Sequence, residues 1–251
     1  MRALDTRLDT ALTIACEAAA LALALRPPPG AAQGTLKGRQ DWLTVADGAV
    51  EQLIADRLAA AHPEDGFQGE ELGTMRGGAL RWVVDPIDGT SNYARGAARW
   101  CVSIALMDGD RAVLGVLAAP ALGETFSARD GSAAMLNGTP IRTAATTALD
   151  RAIIEAGWSP RVAGPDYLAL CERLMGTGAM LRSGGSGALG LADVAAGRID
   201  AYAELHINLW DCAAALAILA GAGAITTPFD PAGGPLLAAA PGIAAALQAV
   251  F

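Results

Sequence analysis

The chain has 251 residues, 53% of them hydrophobic and only 18% charged, so it can bury a large core and lacks the composition of a disordered segment. With 18 Lys and Arg against 26 Asp and Glu the formal net charge is −8, which argues against a nucleic-acid binder held by phosphate contacts. The mean hydropathy of +0.34 raises the question of a membrane, yet Glu17 and Arg26 interrupt the early apolar stretch, and the later run from Cys212 to Ile225 is shorter than the roughly 20 residues a span needs.

At the N-terminus, MRALDTRLDT puts two Asp where a signal peptide needs its apolar stretch, so a soluble cytoplasmic protein without membrane contact is expected. Leu4, Leu8, Leu12, Ala15, Ala19 and Ala22 recur at helical spacing and predict a helix to about Leu25, stopped by Arg26-Pro27-Pro28-Pro29-Gly30. Polar residues fill Gln33 to Asp41. Val50, Leu53, Ile54 and Leu58 mark a second helix that ends before His62-Pro63, with His62 exposed in the loop. Then the period changes. Leu80–Val84 is strand-like, Cys101–Met107 and Ala112–Ala118 flank the turn Asp108-Gly109-Asp110, and Thr125–Ala128 precedes a turn at Asp130-Gly131. A largely antiparallel sheet is expected there. Beyond it, strands at Ile153–Ala156, Ala179–Leu181, Ile199–Ala203 and Ala224–Thr226 alternate with helices at about 166–176, 187–197, 210–220 and 242–250. The class is mixed α/β (α+β), helices layered on sheets. The four cysteines, Cys16, Cys101, Cys171 and Cys212, are widely spaced and read as reduced core thiols.

The densest chemical signal is Trp82-Val83-Val84-Asp85-Pro86-Ile87-Asp88-Gly89-Thr90-Ser91-Asn92, an apolar strand that delivers two carboxylates at its end. Two carboxylates without a basic neighbour repel each other unless a cation sits between them, and hard oxygen ligands suit Mg²⁺. Gly89 permits close backbone approach, and a following helix start offers N–H groups to phosphate. A plain Asp-Gly turn with Asp85 as a helix cap explains the same residues. Gly69-Glu70-Glu71-Leu72-Gly73 places more acid in a glycine-bounded loop. Thr44-Val45-Ala46-Asp47 fits a helix-capping pair, and Asp211, in Leu209-Trp210-Asp211, fits an N-cap. Trp82 and Trp210 read as core packing beside these motifs.

Taken together, Asp85-Pro-Ile-Asp-Gly-Thr-Ser-Asn92, Gly69-Glu70-Glu71, Trp210-Asp211-Cys-Ala-Ala-Ala and the segment from Lys37 to Asp47 resemble, in order, the motifs of the inositol monophosphatase family. The resemblance implies a magnesium-dependent phosphomonoesterase of layered α-β-α-β-α architecture, a homodimer with one catalytic domain over 1–251, whose halves are 1–145 and 146–251. It implies that Glu70, Asp85 and the Ile87 carbonyl hold a first Mg²⁺, and that Asp85, Asp88 and Asp211 hold a second. Asp47 and Glu70 serve a third, more weakly held ion. Thr90, paired with Asp47, would activate the attacking water, and the N–H groups of Gly89 and Thr90 would hold phosphate. Glu204, Ser186, Gly187 and Ser159 would line the substrate pocket. The expected substrate is a small polyol phosphate such as inositol-1-phosphate, with histidinol phosphate and then a 3′-phosphonucleotide as alternatives.

A reading from another class is available. Gly185-Ser-Gly187-Ala-Leu-Gly190 matches G-x-G-x-x-G, with Glu204 about twenty residues on, as an NAD-dependent oxidoreductase requires. It leaves Glu70, Asp85, Asp88 and Asp211 without a role. Two residues separate Asp85 from Asp88, one too many for an aspartyl-phosphate phosphatase. With only His62 and His206, a Ser-His-Asp triad is poorly supplied. A non-enzymatic scaffold would be betrayed by a lost ligand, and none is lost.

Overall fold

The computed structural model describes residues 2–28, 35–38 and 41–251, with backbone alone at 2, 3, 37, 38 and 41–43. Gln33 and the helix-stopping Pro29-Gly30 lie outside the described residues. Helix α1 (Arg2–Leu25) precedes a hairpin of β1 (Thr35–Gly38) and β2 (Asp41–Leu43), and then α2 (Val45–Ala61). Next come β3 (Gly66–Gly69), β4 (Thr74–Arg76), β5 (Leu80–Asp88), the short α3 (Thr90–Ala94), β6 (Cys101–Asp108), β7 (Arg111–Ala119), β8 (Glu124–Arg129), β9 (Met135–Leu136) and β10 (Thr139–Pro140). The remainder is β11 (Ile153–Ala156), α4 (Gly164–Gly176), β12 (Met180–Arg182), α5 (Gly187–Ala195), β13 (Ala201–Ile207), α6 (Leu209–Ala222), β14 (Ile225–Thr226), β15 (Gly234–Ala239) and α7 (Pro241–Gln248).

Strands β10-β9-β8-β7-β6-β5-β3-β4 form an eight-stranded sheet, antiparallel throughout except where β3 runs parallel to β5. Strands β12-β11-β13-β15-β14 form a five-stranded sheet in which β11 is parallel to both β12 and β13. Three apolar clusters separate five layers. One joins α1 and α2 to a face of the large sheet, one joins its other face to α5, α6 and the small sheet, and one joins the small sheet to α4 and α7. The order is α-β-α-β-α, as expected.

Strand alternation sets the two faces. Leu114, Val116 and Ala118 of β7 enter the first cluster, while Leu117 and Ala119 enter the second. Between them Gly115 lies so close to α6 that a Cβ there would overlap the Ala214 carbonyl. The alanines of α6 allow this approach, and much of the chain's hydropathy is spent on such close-packed alanine.

Helix α1 ends at Leu25, as its spacing predicts, and the Glu17 carboxylate within it pairs with Arg57 of α2 at 2.9 Å. By length and composition Leu4–Leu25 could cross a membrane, and here its alanine face packs on α2 and the large sheet. His62 is half-buried rather than exposed, stacked on Trp82 at 5.9 Å. Only Cys101 and Cys212 are buried, and Cys16 is exposed. Strands β1, β2, β3, β4, β9, β10 and β15 go beyond the expected strands.

Candidate active site

Strict alternation along a strand would put Asp85 and Asp88 on opposite faces. The pairing of β5 with β6 shifts between them: Asp85 faces Ser103, and Asp88 faces Cys101. Three steps on one strand match two on the other, so β5 carries a bulge at Pro86–Ile87. Proline has no N–H to give the ladder, which suits it to this position. The extra residue returns Asp88 to the face of Asp85 and leaves Ile87 in the opposite cluster with Trp82 and Val84. The Asp85 carboxylate also accepts the Ile87 N–H at 2.8 Å, which fixes the bulge. Asp85 is therefore not a helix cap. Gly89, at φ 88°, begins α3.

Asp211 completes the group. It stands at the third position of α6 rather than at its N-cap, and accepts the Asn208 backbone N–H at 3.1 Å. One oxygen from each of Asp85, Asp88 and Asp211 falls within a 4.8 Å cluster. Burial drives Asp85 well above the usual carboxylate range, and the charges of Glu70, Asp88, Asp211 and Asp47 add to it. Burial and the Asp211 charge push Asp88 up to about 7. Asp211 is raised by burial, against the hydrogen bond from Asn208 and the Arg161 charge. Among the described residues no Lys or Arg forms an ion pair with any of the three. Clustered oxygen donors whose mutual repulsion no ion pair offsets fit a divalent cation of the hard type.

Glu70 and Asp47 lie outside the tight trio yet close enough to act on Asp85. The Glu70 backbone is held by its N–H to the Val84 carbonyl at 3.1 Å. Asp47 forms the expected capping box, accepting from the Thr44 hydroxyl at 2.6 Å and the Thr44 N–H at 2.7 Å. Burial raises its carboxyl. The Thr90 hydroxyl donates to the Ile87 carbonyl at 2.9 Å. The expected Thr90–Asp47 pair is not formed: each side chain is bonded to a residue three positions before it, Thr90 to Ile87 and Asp47 to Thr44.

A cavity of about 360 Å³ opens on Asp88 and Asp211, lined also by Ser159, Ser186, Gly187 and Glu204. All four pocket residues expected from the resemblance meet there. The Ser186 hydroxyl donates to Asp88, as does the Ala188 N–H at 3.2 Å. A carboxylate of the protein itself therefore takes the start of α5, where a dinucleotide pyrophosphate would have to sit, which removes the NAD reading. Glu204 is buried beside the Tyr202 hydroxyl, which donates to it. Burial pushes Glu204 up to about 8, opposed by that bond and by the Arg161 charge. Ser159 donates weakly to the His206 carbonyl at 3.5 Å.

Behind this wall Arg99 and Arg182 each bridge Glu155 and Asp193, at 2.6–2.9 Å. A Cβ at Gly184 would overlap Arg99, and one at Gly190 would reach the Tyr202 ring at 2.6 Å. At Gly184 and Gly190 the lack of a side chain is thus a packing requirement. Asn92 ties it to α3, donating to the carbonyls of Arg99 at 2.8 Å and Gly184 at 2.9 Å. Sequence reasoning overlooked Tyr202, Glu155 and Trp158, which also line the cavity. Tyr202 and Glu204 share a strand face at spacing two, the one signal that could have exposed their pairing.

Comparison with known proteins agrees with this geometry. A model described as the inositol monophosphatase family matches residues 4–250. An inositol-1-monophosphatase of Rhizobium meliloti is 38% identical over 209 residues, covering 81% of this chain and 78% of that protein. A Xylella fastidiosa protein named Nus factor SuhB is 38% identical over 201 residues, 79% of this chain and 73% of its own length. The crystal structure of the extragenic suppressor protein suhB from Bartonella henselae superposes with a TM-score of 0.89 at 31% identity, covering 96% of each chain. With the motifs, the five layers and the carboxylate cluster in one place, the chain belongs to the inositol monophosphatase family and is a phosphoric monoester hydrolase.

Proposed function

We propose that the chain hydrolyses a small polyol phosphate, inositol-1-phosphate first, with two to three Mg²⁺ ions. What supports this reading above all is the trio Asp85, Asp88 and Asp211, of which Asp88 and Asp211 line the cavity that also holds Glu204. Glu70, Asp85 and the Ile87 carbonyl would hold a first ion, Asp85, Asp88 and Asp211 a second, and Asp47 with Glu70 a third. When bound, Mg²⁺ neutralises the carboxylates, takes charge from the phosphate oxygens and acidifies water.

The protein's own part is placement, which is most of what phosphoryl transfer needs. The Gly89 and Thr90 N–H groups would hold phosphate at the turn into α3. Thr90, oriented by its bond to Ile87, would position the attacking water, and Asp47, held by Thr44, would accept its proton. Glu204 would bind substrate hydroxyls, with Ser159, Ser186 and Gly187 shaping the wall. Histidinol phosphate is the second reading, because the Glu204 carboxylate could meet an ammonium group, and a 3′-phosphonucleotide is the third. Phosphate release from inositol-1-phosphate, histidinol phosphate and 3′-phosphoadenosine 5′-phosphate ranks them. A rate on inositol-1-phosphate far below the other two would overturn the first choice. We also read the chain as one catalytic domain in a cytoplasmic homodimer, the oligomer to be checked by light scattering.

A further inference from the structure

Glu51 is fully buried, although no cation pairs with it among the described residues. It lies one turn along α2 from Asp47. Its carboxylate reaches across to the loop after β3 and accepts two backbone N–H groups, from Glu71 at 3.1 Å and from Leu72 at 2.9 Å. One N–H goes to each oxygen, so the loop is gripped at two points immediately beyond Glu70. Gly69, on the other side of Glu70, is pressed onto the same carboxylate. A Cβ at Gly69 would overlap Glu51 Oε1. The loop is also pinned to β5 by the Glu70 N–H to the Val84 carbonyl, and closed on itself by the Gly69 N–H to the Gly73 carbonyl at 3.0 Å.

From these contacts we infer that Glu51 is the positioning residue that sets Glu70 against Asp85. Burying a carboxylate without a counter-ion is costly, and two N–H donors in a fixed fork are what offsets it here. The same contacts turn a glycine-bounded loop into a rigid mount, and they tie it to the helix that carries Asp47. Both outlying acidic residues of the site then depend on α2. Glu51 itself does not touch the cluster; it acts through the backbone of residues 70–72.

The inference rests on the reading of Glu70 as a metal ligand, so its test includes binding as well as turnover. Isothermal titration of Mn²⁺ and Mg²⁺ into wild type and Glu51→Gln is the first arm. The amide keeps the shape of the side chain and one acceptor, and sets an NH₂ against the other N–H. Groups that orient metal ligands are typically worth 10–100-fold in affinity, so Glu51→Gln should weaken the tightest metal site by at least about 10-fold. The Mg²⁺ concentration for half-maximal phosphate release should rise in step, while kcat at saturating Mg²⁺ is largely recovered. Gly69→Ala displaces the same contact from the loop side and should give the same split; it decides the matter if Glu51→Gln does not fold. A folded Glu51→Gln or Gly69→Ala with wild-type metal affinity overturns the inference. So does a loss of kcat that extra Mg²⁺ leaves untouched. Failure of the underlying reading looks different: wild type itself would then bind no metal or release no phosphate.

Discussion

The Ser186 hydroxyl donates to the Asp88 carboxylate across 98 residues of chain, and this bond joins the end of β5 to the start of α5. Ser186 also caps α5 by accepting the Leu189 N–H at 3.3 Å. One hydroxyl therefore orients a cluster carboxylate and stabilises a helix. Ser186→Ala should cost about 1 kcal/mol of stability, the usual scale of a lost N-cap. It should also raise the Mg²⁺ requirement by roughly 10–100-fold. Denaturant unfolding and Mg²⁺ titration of phosphate release check the two effects, and an unchanged Mg²⁺ requirement would remove Ser186 from the support of Asp88.

The buried acids predict an unusual pH dependence for the metal-free protein. Asp88 is pushed to about 7 from 3.8, Glu51 to about 6 and Glu204 to about 8 from 4.5, in each case chiefly by burial. Across that window the folded chain holds protons that the unfolded chain has released. Stability then falls as pH rises through the folded values. In EDTA, Tm should be lower at about pH 8.5 than at about pH 5.5, and Mg²⁺ should restore more of it at the higher pH. A Tm that rises with pH in EDTA would contradict the burial of these groups in the protonated form.

Glu204 lines the same cavity as Asp88 and Asp211 but lies outside the carboxylate trio, held by the Tyr202 hydroxyl. Glu204→Gln should change the ratio of kcat/KM between inositol-1-phosphate and histidinol phosphate and leave metal affinity near wild type. If all substrates fall by the same factor, Glu204 acts on the fold or the chemistry instead of on selection.

At the centre of the fold, Gly115→Ala forces a methyl group into the Ala214 carbonyl, where backbone meets backbone. Overpacking of this kind costs about 1–3 kcal/mol or more. The midpoint of urea unfolding should drop accordingly, whereas Gly109→Ala, in a turn with open space around it, should cost only what its φ of 57° imposes.

Much of this arrangement was legible in the residues. The acid-bearing motifs, the alternation of strands and helices after residue 150 and the layered class follow from period and spacing. Other features needed the third dimension. Asp85 and Asp88 look opposed on an ideal strand, and only the register shift against β6 brings them together; Pro86 was the available hint. Strands β3, glycine at both ends, and β4, three exposed or half-buried residues, carry no clear period of their own; β3 forms against β5, and β4 only against β3. Glu51 looks like any acidic residue on a helix, because its partners are backbone N–H groups twenty residues away. Resemblance alone implies the Thr90–Asp47 pairing, and in the fold local bonds to Ile87 and Thr44 stand in its place.

If Asp85, Asp88 and Asp211 carry the metal that drives phosphoester hydrolysis, turnover must depend on that metal and on each of the three carboxylates. The most direct measurement is phosphate release from inositol-1-phosphate with Mg²⁺ and with EDTA, for wild type and for Asp88→Asn, both checked for native fold by circular dichroism. Wild type should release phosphate only with Mg²⁺, and Asp88→Asn should lose most of that release. Near-normal turnover by a folded Asp88→Asn, or release undiminished in EDTA, would rule out this metal assignment.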